Sequence, residues 1–208
     1  EHLQQGMDEW DRYMRSTSAH APLTQLAILH LEFEALHPFQ DGNGRLGRML
    51  IPLFLYQRNL LTSPDFYMSG YLEANRDEYQ ERLRAVSRDD DWTGWAVFFL
   101  QGICKQAAEN ERKARAILSL HERVKTQVVD LTHSQHAIRV VDFIFQSPIF
   151  AAPLFTNHSQ IPKPTANRIL SLLRDKGILR TLQEGKGRRP GIYAFGELLN
   201  IAEGDEVF

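Results

Sequence analysis

The side chains and glycines of this chain that could do chemistry are concentrated in residues 37–48, with the sequence His-Pro-Phe-Gln-Asp-Gly-Asn-Gly-Arg-Leu-Gly-Arg. Gly42 and Gly44 permit backbone angles that larger residues avoid, and they let main-chain amides approach a ligand closely. The segment leads directly into a predicted helix, whose first unpaired N–H groups favour an anion. The pattern therefore predicts a phosphate-binding turn.

Four charged or titratable side chains surround that turn. Arg45 and Arg48 lie three positions apart on the predicted helix, so both face the same side and suit a polyphosphate. Asp41 supplies a carboxylate, which together with phosphate oxygens is a usual ligand set for Mg²⁺. His37 is the side chain of the segment that could act as a general base near neutral pH. Each residue type is common by itself, but their conjunction favours a nucleotide site over a packing motif.

The segments on either side of the motif are predicted to be strongly apolar helices. Residues 23–36 are apolar on almost every side, which indicates a buried helix, and the His37-Pro38 step ends it. A second apolar helix is expected from Arg45 to about Asn59. Three further helices are expected in the first part, at residues 1–15, at about 69–87 and at 92–128. Strand-like alternation is not seen before residue 130.

The second part of the chain has a different order of predicted elements. It begins near residue 132 and contains three helical or apolar segments and then two strand candidates, at 134–147, 150–158, 164–176, 178–182 and 191–195. This order predicts a winged helix-turn-helix. The predicted fold class is therefore mainly α: an all-helical domain at residues 1–130, followed by a small α+β winged helix-turn-helix domain at residues 131–208.

The distribution of charge along the chain indicates which kinds of partner the second part could bind. The chain carries 24 Lys and Arg against 26 Asp and Glu, with the slight excess of positive charge in its second part. Seven cations lie on or beside the predicted recognition helix and in the wing: Lys163, Arg168, Arg174, Lys176, Lys186, Arg188 and Arg189. Because this positive charge is modest, we expect the second part to serve as a scaffold, a dimer contact or a recruiter of the target protein. DNA binding by the second part stays open as a less favoured alternative.

The chain has one cysteine, Cys104, which excludes an intramolecular disulfide and indicates a reducing, cytoplasmic location. Because Cys104 falls in an apolar helix, it is predicted to be a core residue. No apolar run is long enough for a membrane span, so we expect no membrane partner.

Residues 37–48 resemble the signature of the Fic family (the Fic/Doc superfamily), His-Pro-Phe-x-Asp/Glu-Gly-Asn-Gly-Arg-x-x-Arg, at every fixed position. The resemblance extends through roughly residues 1–125, and the second part looks like the winged helix that follows the Fic domain in one bacterial subgroup. It implies a protein adenylyltransferase, which transfers AMP from ATP to a Ser, Thr or Tyr hydroxyl of a target protein and releases pyrophosphate.

The resemblance also implies a role for each residue of the motif. His37 would take the proton from the target hydroxyl, and Asp41 would hold Mg²⁺ between the α- and β-phosphates. Arg45 would hold the β-phosphate and Arg48 the γ-phosphate. The anion hole would be formed by the three residues of the turn, Gly42, Asn43 and Gly44.

Other ATP contacts and one anchor complete the implied site. Family members often carry a Tyr-Tyr pair downstream, whereas this chain has Tyr79-Gln80, so the adenine contact rests on Tyr79 by stacking or hydrogen bonding. Leu46 and Gly47 complete the predicted ATP-binding run. Phe39 is interpreted as a buried anchor that fixes the loop.

Two elements that are usual in Fic enzymes are not seen in the sequence. No β-hairpin flap that would grip the target is found in residues 1–36, and neither an inhibitory helix with a Ser/Thr-x-x-x-Glu/Asp-Gly-Asn pattern nor a C-terminal equivalent appears. Because the chain begins at Glu1 rather than Met, we expect an N-terminal truncation, and both elements lie in the removed part if this subgroup is inhibited from the N-terminal side. Such a fragment is predicted to lack autoinhibition and to grip its target poorly.

Several alternatives stay open at this point. The chain could be a DNA-binding regulator that senses a nucleotide, or a Fic enzyme that removes AMP or transfers another nucleotide. A Doc-like kinase is disfavoured, because those members typically have Lys where this chain has Gly44. Fic proteins often dimerise, so a homodimer is among the expected assemblies.

Overall fold

The structure is a computed structural model that describes residues 2–16, 20–187 and 189–207. Across those ranges the chain forms ten helices and three strands, so the prediction of a mainly α fold is confirmed. The chain divides into two compact units, Glu1–Asn110 and Glu111–Phe208. The boundary between the units, after Asn110, falls inside the long helix Trp92–Thr132, whereas the sequence predicted a domain boundary after residue 130, near the end of that helix.

The first unit is helical throughout its described residues. Its helices are α1 (His2–Arg15), α2 (Pro22–Leu36), α3 (Asn43–Gln57), α4 (Ser69–Ala74), α5 (Arg76–Asp89) and the first part of α6 (Trp92–Thr132). Helix α2 begins with Pro22 in its first turn, where the missing N–H costs nothing. It is buried on almost all sides and contributes Leu26, Ala27 and Leu29 to the core.

Helix α2 lies at the centre of the core of the first unit. Buried side chains reach it from the motif helix α3 and from α6, among them Ile51, Phe54, Trp95, Phe98 and Phe99. The indole N–H of Trp95 donates to the carbonyl of Ala27 at 2.8 Å, which ties α6 to the middle of α2. Helices α2 and α3, which flank the motif loop, are therefore held by a packed apolar core.

The second unit combines helices with a three-stranded antiparallel sheet. After α6 come α7 (Ala137–Gln146), β1 (Ile149–Ala151), α8 (Ala152–His158), α9 (Lys163–Asp175), β2 (Arg180–Gln183), β3 (Ile192–Ala194) and α10 (Gly196–Glu203). The strand order is β1-β3-β2, with Phe150 and Thr181 both opposite Tyr193. Its core is separate from that of the first unit and includes Val140, Ile144, Ile169 and Leu173.

Three sequence predictions about local structure are wrong. The helix expected at 69–87 is two helices, because α4 ends where the Asn75 amide bonds to the Tyr71 carbonyl before α5 begins. Strand β1 was missed, since three residues are too few to show an alternating pattern. Cys104 is exposed and is not a core residue, because it lies one position past buried Ile103 and is rotated away from the core.

No helix in the described part of the chain is long and apolar enough to cross a membrane.

Candidate active site

The motif loop begins where α2 stops. His37 has left-handed backbone angles (φ 47°, ψ 57°), and its amide donates to the Phe33 carbonyl at 3.2 Å, which closes the last turn of α2. Pro38 follows and prevents the helix from continuing. The His37 side chain is exposed at this end of the helix. A side chain at this position is open to a partner as large as a protein.

Helix α3 begins directly after Gly42, whose φ of 86° favours glycine over any other residue. Within the described ranges, no side chain caps this helix end. The Gly42 carbonyl accepts the Leu46 amide at 3.0 Å, so the first turn is formed and its leading N–H groups point out of the helix. A helix N-terminus with free N–H groups can bind an anion, and an anion site at this turn stays a prediction.

Asn43 holds the loop against the start of α3. Its side chain is 1% exposed; Oδ1 accepts the Phe39 amide at 2.9 Å and Nδ2 donates to the Phe39 carbonyl at 2.6 Å. The Phe39 ring itself is 51% exposed, so the prediction that it is a buried anchor is wrong. The loop is fixed through the Phe39 backbone, and the ring is not needed for this.

Asp41 and Arg45 lie together at the mouth of the turn. Asp41 Oδ1 accepts the Gly42 amide at 2.7 Å, and Oδ2 is 3.4 Å from Nη2 of Arg45. The side chains are 94% and 73% exposed, so this ion pair contributes little to stability and both groups are available to a ligand.

Arg48 and Tyr79 line the same cavity, which has a volume of about 440 Å³. Arg48 comes from α3, one turn after Arg45, and Tyr79 comes from α5. The other residues around this cavity are Ser69, Leu72, Glu73, Arg76 and Gln80. The two residues predicted to contact the nucleotide from different helices are therefore brought together.

His30 connects the motif helix with Tyr79. This buried residue places Nδ1 3.3 Å from the Gly47 carbonyl and Nε2 3.0 Å from the Tyr79 hydroxyl. Because a carbonyl can only accept, Nδ1 carries the proton and Nε2 accepts from the Tyr79 hydroxyl. The Tyr79 hydroxyl is thus turned inward as a donor, and its ring is what it offers to the cavity.

Burial sets the charge of this pair. It lowers the pKa of His30 to about 4, against the raising effect of the hydrogen bond to Gly47, and nearby Arg48 lowers it further. Burial also raises the pKa of Tyr79. His30 was missed from the sequence, although a histidine flanked by apolar residues in the middle of a buried helix is the signal that could have found it.

Glu34 is a second residue that the sequence analysis missed. It lies one turn before His37 on α2, and its Oε1 is buried with no hydrogen-bond partner among residues 2–16, 20–187 and 189–207. A Cβ at Gly47 would meet this oxygen, so the end of the Glu34 side chain would have to move to admit one. Burial raises the pKa of Glu34, and the positive charges of Arg48 and His37 lower it.

The described residues contain no group of three or more His, Cys, Asp or Glu side chains that could hold a metal ion. An ion at the motif would therefore need oxygens from a bound substrate beside the exposed Asp41 carboxylate. That donor set suits Mg²⁺, which commonly takes one or two carboxylates together with phosphate oxygens.

The first part of the chain is similar to known proteins. Residues 1–55 match the model of the Fic/DOC family. A Fido domain-containing protein of Dictyostelium discoideum is 35% identical over 82 residues, which cover 39% of this chain and 52% of that protein. A probable protein adenylyltransferase of Aquifex aeolicus is 36% identical over 61 residues, covering 29% and 19%. A protein adenylyltransferase of Caenorhabditis briggsae is 30% identical over 83 residues, covering 36% and 16%.

The matched segments span about half the length of the Dictyostelium protein and less than a fifth of the other two relatives. A crystal structure of a Fic family protein from Desulfovibrio desulfuricans G20 is also similar, with 21% identity and a TM-score of 0.48; the likeness covers 93% of this chain and 55% of that one. A likeness of this degree supports no conclusion about function. The similarity to the Fic/DOC family model is confined to residues 1–55, which hold the motif and the helix before it.

Proposed function

We propose that the chain is a protein adenylyltransferase, which transfers AMP from ATP to a Ser, Thr or Tyr hydroxyl of a target protein. The observation that carries the proposal is the open N-terminus of α3, placed between exposed His37 and the cavity that Arg48 and Tyr79 line. The two relatives named as adenylyltransferases support it, since they are 36% and 30% identical to this chain over 61 and 83 residues.

The proposed reaction is an in-line displacement at the α-phosphorus. His37 accepts the proton of the target hydroxyl while its oxygen forms a bond to that phosphorus. The bond from the α-phosphorus to the bridging oxygen breaks, and both its electrons leave with pyrophosphate. AMP is then joined to the target through a phosphodiester.

The motif would hold the triphosphate by its charge and its amides. The N–H groups of Gly42, Asn43 and Gly44 at the start of α3 would receive phosphate oxygens, and the two arginines would neutralise the leaving pyrophosphate. Asp41 would hold Mg²⁺, which supplies charge neutralisation at the phosphates when bound. Little covalent chemistry is asked of the protein, so positioning dominates.

We place the adenine in the cavity beside Tyr79. Because the Tyr79 hydroxyl donates to His30, we propose that the Tyr79 ring contacts adenine by stacking. Gln80 lines the same cavity and could offer its amide to an edge of the base.

For the second unit, we infer a winged helix with a protein-binding role. Its order of helix, strand, two helices and a β2-β3 hairpin supports the winged-helix interpretation. Two of its predicted DNA-contacting cations already have partners: Arg174 pairs with Asp175 at 2.8 Å, and Arg168 reaches the Thr132 carbonyl at 3.5 Å. Arg188 lies outside the described residues.

Labelling with two forms of ATP tests the proposed function. The chain, a candidate target and Mg²⁺ are incubated with ATP labelled in either the α- or the γ-phosphate. We expect label only from the α-position, lost in His37→Ala and kept in the matched surface variant His158→Ala. Label from the γ-position would identify a kinase instead, and transfer that persists in His37→Ala would contradict the assignment of the base.

A further inference from the structure

A cavity lined by basic side chains lies wholly within the unit Glu111–Phe208, which does not contain the motif. Its volume is about 310 Å³, and it is lined by the second half of α6, the turn after α9, the start of β2 and the start of α10. Among its described lining residues, three are basic, Arg123, Lys176 and Arg180, and one is acidic, Glu197. These side chains leave the wall of the cavity with a net charge of +2.

The three basic side chains keep their capacity to bind an anion. The Arg123 guanidinium donates to the Glu197 carboxylate, which ties α6 to α10 beside the cavity and leaves other N–H donors of the guanidinium for a ligand. Within the described ranges, the side chains of Lys176 and Arg180 form no ion pair. Because like charges that share a cavity repel one another, an anion placed between them is favoured.

The start of α10 adds backbone donors to the same wall. This helix begins at Gly196, directly after β3 and Phe195, and no side chain in the described part of the chain caps it. The uncapped N–H groups at the start of a helix favour an anion. The helix end and the basic side chains are independent features that prefer the same kind of ligand.

The position of the cavity in the unit argues against a DNA duplex as its ligand. Arg180 lies opposite Ala194 in the β2-β3 pair, so it is at the end of the sheet away from the loop that joins these strands, which is the predicted wing. Lys176 follows the last residue of α9, whereas a recognition helix contacts base edges with its N-terminal residues. A free molecule that enters the cavity fits this position better.

We propose that the cavity binds a small free molecule that carries a phosphate group. A phosphate monoester has about two negative charges at neutral pH, which match the net charge of the wall. Arginine binds phosphate through paired N–H donors and lysine through its point charge. The volume leaves room for an organic part beside the phosphate. This inference is independent of the adenylyltransferase activity proposed above.

An NMR titration of the full chain tests the proposal, with inorganic phosphate and with ribose 5-phosphate as separate probes. The motif can also receive phosphate, so the signals followed are the backbone amides of Gly177 and Gly196, which line the cavity. We expect both signals to shift with saturation, and Arg180→Gln to weaken binding about tenfold because one charge-assisted contact is lost. Lys186→Gln is the matched control, since Lys186 is an exposed cation outside the cavity, and it should keep the affinity. Shifts that do not saturate, or equal affinities in the two variants, would overturn the proposal.

A second variant covers the case in which Arg180→Gln does not fold. Lys176→Gln changes an exposed side chain and should weaken binding to a similar degree, so unaltered affinity in this variant would reject the proposal. A short DNA duplex is titrated in the same way. If the duplex shifts Gly177 and Gly196 at lower concentration than ribose 5-phosphate does, and Lys176→Gln and Lys186→Gln weaken it equally, the cavity belongs to a nucleic-acid surface and the proposal is wrong. Absent AMP transfer would count against the proposed function alone.

Discussion

Replacing Asn43 tests whether one buried amide holds the motif loop. Asn43→Ala removes both hydrogen bonds to the Phe39 backbone and leaves an amide and a carbonyl of the loop without those partners. At about 1 kcal/mol for each net hydrogen bond, the free energy of unfolding should fall by about 2 kcal/mol, which is roughly a thirtyfold change in the folding equilibrium. Activity should fall further, because a loop displaced by about 1 Å can cost about a hundredfold in rate.

Urea unfolding and hydrogen exchange measure the two effects separately. The Phe39 amide, bonded to Oδ1 of Asn43, should lose its protection in Asn43→Ala more than amides of the α2 core do. Gln40→Ala is the matched control, because Gln40 is exposed in the same loop. A loss of stability below about 0.5 kcal/mol with Phe39 protection intact would show that other contacts hold the loop, and the reasoning would fail.

Three further predictions concern the network around the cavity and the metal. The His30 pKa of about 4 lies below its value in an unfolded chain, so stability should be full above about pH 6.5 and should fall by up to about 3 kcal/mol towards pH 4; His30→Gln should flatten this dependence in urea titrations. Tyr79→Phe keeps the ring and should lower stability by about 1 kcal/mol with ATP affinity retained, whereas Tyr79→Ala should weaken ATP binding about tenfold or more by calorimetry; equal affinities in the two variants would remove Tyr79 from the adenine site. Asp41→Asn should leave the melting temperature unchanged, since the side chain is 94% exposed, and should raise the Mg²⁺ concentration needed for half-maximal transfer; an unaltered Mg²⁺ requirement would exclude Asp41 as the ligand.

The motif could be found from the sequence because its parts are local. A glycine-rich turn, the start of a helix and two arginines three positions apart all lie within residues 37–48, where spacing along the chain determines geometry. The bounds of α2 followed in the same way, from continuous apolar character and the proline after His37.

The contacts that support the motif could not be found in this way, because they join distant parts of the chain. His30 meets Gly47 17 positions later and Tyr79 49 positions later, and no local pattern encodes either contact. Phe39 was misplaced for a related reason: it was interpreted as the anchor of the loop, but the hydrogen bonds that fix the loop come from the Asn43 side chain to the Phe39 backbone. Burial of one side chain depends on what its neighbours have already filled.

The close approach of Glu34 to Gly47 also limits how the sequences of related proteins can diverge. The two positions share one small volume, so a residue with a Cβ at position 47 becomes acceptable only when position 34 becomes shorter or its side chain turns away. A homologous sequence with alanine or serine at position 47 is therefore expected to carry either a shorter side chain at position 34 or a glutamate in a different rotamer.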